Sequence, residues 1–325
     1  VSNIKNNHFI FIIFLLVLVL MPVHAIMPTP ENELKIREFC SLFNETEGDI
    51  QSYLFLTDTH SFGYLHEEYS FREKLYEIEA VYKNSPTSFV ISGGDWANQG
   101  ATQEEACIIL GKLDAITSST FDRFYHVLGN HDTNYQGLYN YGSELKTGEL
   151  INNTVPNLLF RDYGRSYYSF ESGNTKNYVL DTGLDWTPEM SEYRWEQVDW
   201  LAESLLLDDA PHSTVFMHIG WDTYEHDLVP MTDEVTKIAN AYNTRAIITS
   251  NDVPYDFSAC TGTFSYVMTG HMHEDYNALI NDIMVVTSID NRTSQGFDLC
   301  LADYSEGKLY LMRIGQGKNR TIDIK

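Results

Sequence analysis

The chain has 325 residues, 43% of them hydrophobic, 13% aromatic and 21% charged, with 20 glycines and 9 prolines. That much apolar side chain excludes a disordered, collagenous or low-complexity protein and allows one large domain. The 46 acidic residues against 21 lysines and arginines give a formal net charge of -25, which disfavours general nucleic-acid binding because such a surface repels phosphate backbones.

At the amino terminus Lys5 precedes an apolar run from Phe9 to Leu20, followed by Met21-Pro22 and Val23-His24-Ala25. A positive start, a short apolar middle and small residues before a cleavage point predict a secretory signal over residues 1–25. The remainder, 26–325, is then expected to be a single domain with its core at about 50–315, secreted or held at the cell surface. The competing expectation is an uncleaved amino-terminal anchor, which the shortness of the run and Pro22 disfavour. No other membrane contact is expected. Cys40, Cys107, Cys260 and Cys300 allow three full disulfide pairings or four buried thiols, and their spacing matches no zinc knuckle. Asn44, Asn152, Asn291 and Asn319 begin Asn-x-Thr triplets, relevant only in a glycosylating host.

Short runs rich in apolar, β-branched and aromatic residues predict strands at Tyr53–Leu56, Phe89–Ser92, Phe124–Leu128, Tyr178–Leu180, Thr214–Met217, Tyr266–Met268, Met284–Thr287, Phe297–Leu301 and Leu309–Met312. Several of the early runs are continuous rather than alternating, as strands covered on both faces should be. Helix-period patterns lie between them. Phe71, Leu75, Ile78 and Val81 form one behind a Ser70/Glu73 capping box, and Ala106 to Ile116 another behind Thr102 and Glu105. Trp195 to Leu205 form a third, and Val235 to Tyr242 a fourth with Thr232 as its expected cap. The order predicts an α/β fold, a four-layer α/β/β/α sandwich of two mixed sheets with helices outside.

Residues able to hold metals gather after those strands, where α/β sheets place their ligands. The blocks are Asp58-Thr59-His60, Gly93-Gly94-Asp95, Gly129-Asn130-His131-Asp132, His218, and Gly270-His271-Met272-His273. Each is weak alone: Asp-x-His reads equally as a polar strand end, and His218 as a satisfied core histidine. In extended chain, residues two apart share a face, so Asp58 with His60 and His271 with His273 can each meet one cation. Five strand ends all offering nitrogen or oxygen donors make a pattern that 11 scattered histidines would not.

The set, in this order, resembles the calcineurin-like metallophosphoesterases, whose pattern is Asp-x-His, Gly-Asp, Gly-Asn-His-Asp/Glu, a lone His and Gly-His-x-His. Tyr167-Tyr168-Ser169-Phe170 and Val179-Leu180-Asp181 are a softer likeness to the mid-domain strands of that family. The resemblance implies two adjacent metals, the first on Asp58, His60, Asp95 and His273, the second on Asp95, Asn130, His218 and His271. Nitrogen and oxygen donors without thiolate suit Mn, Fe, Zn or similar divalent ions. It further implies a metal-dependent phosphoric ester hydrolase in which metal-bound hydroxide attacks a phosphomono- or phosphodiester while His131 protonates the leaving oxygen. Many relatives carry Gly-Asp-x-x-Asp; here the last position is Asn98, which can accept a hydrogen bond but cannot support imidazolium by charge. Asn98 is also not the tyrosine that purple acid phosphatases use as an iron ligand, which disfavours that subgroup.

Asn98, Arg161 and Arg165 are candidate substrate contacts, the two arginines as grips on a phosphate with surface ion pairing as their bland alternative. His126, His66, His212 and His226 read as structural or solvated. The expected partner is a small phosphorylated substrate. Two alternatives differ in class: a cyclic-nucleotide or nucleotide-directed phosphodiesterase of the same fold, and a non-catalytic metal-binding surface protein.

Overall fold

The computed structural model describes residues 27–60, 68–96, 103–132, 163–182, 191–221, 227–291 and 296–325. Its elements in chain order are α1 (Pro30–Glu45), β1 (Ile50–Leu56), α2 (Glu68–Asn84), β2 (Val90–Ser92), α3 (Gln103–Thr120), β3 (Phe124–His126), β4 (Tyr168–Ser172) and β5 (Thr175–Val179). They continue as α4 (Ser191–Leu207), β6 (His212–Phe216), α5 (Pro230–Thr244), β7 (Ile247–Ser250), β8 (Val253–Asp256), β9 (Thr263–Thr269) and β10 (Tyr276–Ile280). The last strands are β11 (Ile283–Thr287), β12 (Phe297–Asp303), β13 (Lys308–Ile314) and β14 (Arg320–Asp323). The signal segment, His66, Asn98, Arg161 and His226 lie outside the described residues. Among the described residues no helix is long and apolar enough to cross a membrane.

One six-stranded sheet has the order β14-β13-β12-β1-β2-β3, the other β10-β11-β9-β6-β5-β4, and β7 with β8 forms a separate hairpin. Both sheets are mixed. In the first, β1, β2 and β3 run parallel while β12 joins β1 antiparallel. In the second, β5, β6, β9 and β11 run parallel while β4 and β10 join antiparallel at the edges. The sheets stack through an aromatic layer, in which the Phe216 ring packs against Tyr53 at 5.5 Å, Phe55 at 6.3 Å and Phe89 at 6.4 Å. Helices α1, α2 and α3 cover the outer face of the first sheet through Ile36, Phe39, Leu75, Ile78, Leu110 and Leu113. Helices α4 and α5 cover the second through Val198, Leu201, Val235 and Ile238. This is the α/β/β/α sandwich that the order of elements predicts.

Register between β6 and β9 shifts at Ser213/Thr214, where Ser213 pairs with Phe264 and Thr214 with Tyr266. Because side chains alternate along a strand, this extra residue lets Phe264 point to the helices while Tyr266 points between the sheets. There the Tyr266 hydroxyl meets that of Tyr53 at 2.9 Å. At the paired edges, the Tyr168 hydroxyl of β4 donates to the His126 carbonyl of β3 at 2.8 Å and accepts from its N–H at 3.1 Å.

Some local expectations differ from the structure. Thr232 lies inside α5; the cap is Val229, with Pro230 opening the helix, where its missing N–H and fixed φ favour initiation without a side-chain cap. Ser70 lies in the first turn of α2, which starts at Glu68, so it is not the cap. Helix α1 is additional, opened by Thr29, whose hydroxyl accepts from the Asn32 N–H at 3.3 Å, and by Pro30. Cys40, Cys260 and Cys300 are free thiols.

Phe216 carries the sheet-to-sheet contact and is fully buried. Phe216→Ala should cost about 3–5 kcal/mol of unfolding free energy in urea titration. A loss under 1 kcal/mol would show that the aromatic layer is not what joins the sheets.

Candidate metal centre

Each ligand block lies just beyond a strand's carboxyl end: Asp58 and His60 after β1, Asp95 after β2, Asn130 and His131 after β3, His218 after β6, His271 and His273 after β9. Both sheets therefore deliver donors to one rim. Asp58, His60, Asp95, His271 and His273 all have positive φ, between 42° and 72°. Non-glycine residues rarely adopt this region, and a concentration of them at one rim is the mark of backbone held for a purpose other than stability. Backbone pairing enforces it, since the Asp58 N–H donates to the Gly94 carbonyl at 3.0 Å and the His60 N–H to the Asp95 carbonyl at 2.9 Å.

Close approach explains two of the glycines. A Cβ at Gly129 would sit 2.1 Å from Asp95 Oδ1, and one at Gly270 would sit 2.7 Å from Asp58 Oδ2. The carboxylates themselves are oriented from neighbouring strands. Asp95 Oδ1 accepts from the His131 N–H at 2.8 Å. Asp58 Oδ2 accepts from the His271 N–H at 2.9 Å and from the Thr57 hydroxyl at 2.6 Å. Asp132 turns inward and accepts from the Gly129 N–H at 3.0 Å, bracing the loop that carries Asn130 and His131.

The remaining carboxylate oxygens face ring nitrogens. His218 Nε2 lies 3.1 Å from Asp95 Oδ2 and 3.9 Å from Asp58 Oδ1. His273 Nε2 is 3.2 Å from Asp58 Oδ1. His60 Nε2 lies 3.8 Å from Asp58 Oδ1, 3.9 Å from Asp95 Oδ2 and 3.1 Å from His273 Nε2. The donor atoms form overlapping clusters: Asp58, His60 and His273; Asp95, His218 and His271; and His60, Asp95 and His131.

This arrangement fits divalent cations. His218 Nδ1 is 2.7 Å from the Gly93 carbonyl, an acceptor only, so Nδ1 carries a proton. Its Nε2 then faces two acceptors, Asp95 Oδ2 and the Asn130 side-chain oxygen at 3.2 Å. Acceptors converging in a buried pocket are satisfied only by an added proton or a cation. Two adjacent clusters of nitrogen and oxygen donors without thiolate match a dinuclear divalent centre of the Mn, Fe or Zn kind.

The electrostatics show what a cation would displace. Burial disfavours a charged His218, but the Asp95 and Asp58 carboxylates outweigh it and raise its pKa to about 10. The hydrogen bond that His273 donates to Asp58 raises its pKa as well. Burial lowers His60 and His271 to about 4, and it lowers His131 as well. The Asp95 carboxyl is lowered too: burial opposes its charge, but His218, His131 and His60 together outweigh that.

His131 stands at the open margin of the cluster, its side chain 20% exposed and its Nε2 3.8 Å from Asp95 Oδ2. Arg165 is not brought to the cluster. Its guanidinium lies over the rings of Tyr167 at 4.2 Å and Trp200 at 4.9 Å, on the helix-covered side of the second sheet, so its role as a phosphate contact gains no support. His126 is buried within β3, which holds its pKa down to about 3. His212 opens β6, stacked on Tyr304 with a 4.0 Å centroid separation.

The sequence profile of the calcineurin-like phosphoesterases matches residues 52–275. The chain belongs to that family. Its His/Asp clusters lie at the rim that the family fold provides. No curated protein sequence matches it. Among solved structures, a purple acid phosphatase from yellow lupin (Lupinus luteus) seeds is similar in fold, with a TM-score of 0.50 and 14% identity over 86% of this chain and 53% of the other. The chain thus spans about half the length of that enzyme. GAP50, the anchor in the inner membrane complex of Plasmodium, gives a TM-score of 0.46 and 13% identity over 86% of this chain and 88% of the other. Phosphopantetheinyl hydrolase from Mycobacterium tuberculosis gives 0.37 and 13% over 75% and 91%.

Because His218 and His273 hold protons that a cation must replace, affinity for Mn2+ or Zn2+ should rise with pH from mildly acidic to alkaline conditions. Calorimetric titration at several pH values measures this. A flat profile would mean that these imidazoles are not the ligands.

Proposed function

We propose that the chain is an exported enzyme hydrolysing a small phosphomonoester or phosphodiester at a two-metal centre. Asp58, His60, Asp95 and His273 hold one ion; Asp95, Asn130, His218 and His271 hold the other. The observation that carries this reading is the position of Asp95, whose carboxylate lies within reach of His60, His131 and His218 from three other strand ends. When bound, two such ions lower the pKa of a shared water and neutralise charge on the phosphoryl oxygens.

The protein's own groups supply orientation and a proton. The His131 N–H fixes the Asp95 carboxylate, and the His131 ring faces the open side of the cluster, where a leaving oxygen would emerge. Its lowered pKa makes the acid form the minority species at neutral pH, so protonation helps most where the leaving group is a poor one. Asp95→Ala should remove both metal retention and hydrolysis. His131→Ala should keep the metals and slow alkyl phosphates at least tenfold more than nitrophenyl phosphates. An equal loss on both would assign His131 to substrate positioning. Two retained metals with no turnover of aryl phosphate, aryl phosphodiester, nucleotide or pyrophosphate would favour a non-catalytic metal-binding protein.

Export rests on the charged start, short apolar run and small-residue triplet ending at Ala25. Expression in a secreting host should yield a product whose amino-terminal sequencing starts at Ile26. A membrane-retained, uncleaved product would identify the segment as an anchor.

A further inference from the structure

Two residues beyond His273, the chain meets a group of charges in which Arg313 and Asp298 are buried and Asp275 and Arg320 half-buried. Arg313 of β13 has only 1% of its surface exposed. Its guanidinium donates through Nε to Asp298 Oδ1 at 2.8 Å, and through Nη2 to Asp298 Oδ2 at 3.1 Å and Asp275 Oδ1 at 2.7 Å. Arg320 of β14 adds an ion pair to Asp275 Oδ1 at 3.0 Å. Arg313, Arg320 and Asp298 belong to the first sheet, whereas Asp275 belongs to the β9–β10 connection of the second. The Asp275 contacts are therefore a charged clasp across the sandwich, at the end that carries the ligands.

A backbone strap completes it. Residues 288–291 leave β11 in the second sheet and pass to the first. The Ile289 N–H donates to Asp275 Oδ1 at 3.2 Å, and the Ser288 hydroxyl donates to Asp298 Oδ2 at 2.6 Å. At the far end the Asn291 N–H donates to the Thr57 carbonyl at 2.9 Å, and the Asn291 carbonyl accepts from Lys74 Nζ at 2.9 Å. Thr57 directly precedes Asp58. One continuous set of polar contacts thus runs from the turn bearing His271 and His273 to the strand end bearing Asp58 and His60.

The chemistry of these contacts suits a spacer more than a source of stability. Burying two guanidiniums against two carboxylates gains little over apolar packing, but the fixed fork of an arginine sets direction and distance. Both clusters draw on both sheets, but His273, two residues before Asp275, belongs only to the one with Asp58 and His60. The cluster of Asp95, His218 and His271 has a cross-sheet tie of its own, from His218 Nδ1 to the Gly93 carbonyl at 2.7 Å.

We propose that Asp275, gripped by Arg313 and Arg320, is a positioning residue that sets the span between the β1 ligands and the His271–His273 turn, and so governs one metal position selectively. This rests on the two-metal reading above. The test is Mn2+ titration of the full-length protein followed by electron paramagnetic resonance, with thermal unfolding of the metal-free protein in parallel. Asp275→Asn keeps the volume and removes the charge at a site already 24% exposed, so the protein is expected to fold. The expected result is one tight Mn2+ as in wild type, a second weakened roughly tenfold to a hundredfold, and loss of the spin-coupled signal at sub-saturating metal. Arg313→Lys, which keeps charge but loses the fork, should weaken the same ion. Two ions bound as in wild type by Asp275→Asn, or both weakened alike in step with lost thermal stability, would overturn the proposal. Wild-type protein binding fewer than two Mn2+ would instead overturn the two-metal reading, and the proposal with it.

Discussion

Two fully buried carboxylates, Asp58 and Asp95, stand in a pocket with imidazoles from four strand ends. Buried charge of one sign is tolerated only if something of the opposite sign meets it. Without metal, a proton on His218 does so, because Asp95 and Asp58 hold its pKa up to about 10, and a hydrogen bond to Asp58 raises His273 as well. The rest of the ligand rim follows from making this compensation transferable to divalent ions. Backbone in the left-handed region aims the donors inward, glycines at 129 and 270 leave room for the carboxylates, and main-chain N–H groups from neighbouring strands orient them.

Delivery of donors from both sheets explains the care taken over sheet registration. The bulge between β6 and β9 sends Phe264 outward and Tyr266 inward, keeping Phe216 and Tyr266 in the aromatic layer while His218 and His271 emerge side by side at the rim. Their rings are 5.2 Å apart, edge to face. A one-residue slip would exchange core for helix-facing side chains and carry the imidazoles out of reach. Stability and ligand geometry therefore constrain the same residues.

The ligand blocks were legible in the sequence because each sits where a buried strand stops, so apolar run and polar block identify one another, as Thr214–Met217 followed by His218 shows. The sandwich was legible for the same reason. Groups that act through other groups were not. Thr57 and Asp275 are a common threonine and a common aspartate, and nothing local separates them from solvated neighbours; only the distant partners Asn291, for Thr57, and Arg313 and Arg320, for Asp275, give them meaning. Helix α1 did carry a signal, since Thr29-Pro30 is a cap followed by a helix-opening proline, with Ile36 and Phe39 on one face. The hairpins β7–β8 and β10–β11 also carried one: Asn251-Asp252 and Asn281-Asp282 adopt positive φ, as the tight turns joining antiparallel strands demand. Arg165 offers a cation whose place the sequence does not show, lying over the rings of Tyr167 and Trp200.

The net charge of -25 bears on how such a centre meets its substrate. A phosphate ester approaches a surface that repels it at long range, and the two pocket carboxylates would add to that repulsion. Protons on the histidines offset that charge without adding an excess to attract an anion. Two divalent ions replacing those protons make the pocket net positive, and a local positive potential in a negative surround is focused onto the opening. On the proposed phosphoesterase reading, attraction of substrate and activation of water would depend on the same occupancy. Acidic residues elsewhere sharpen this dependence, because they weaken every anion site except the one where cations reverse the field.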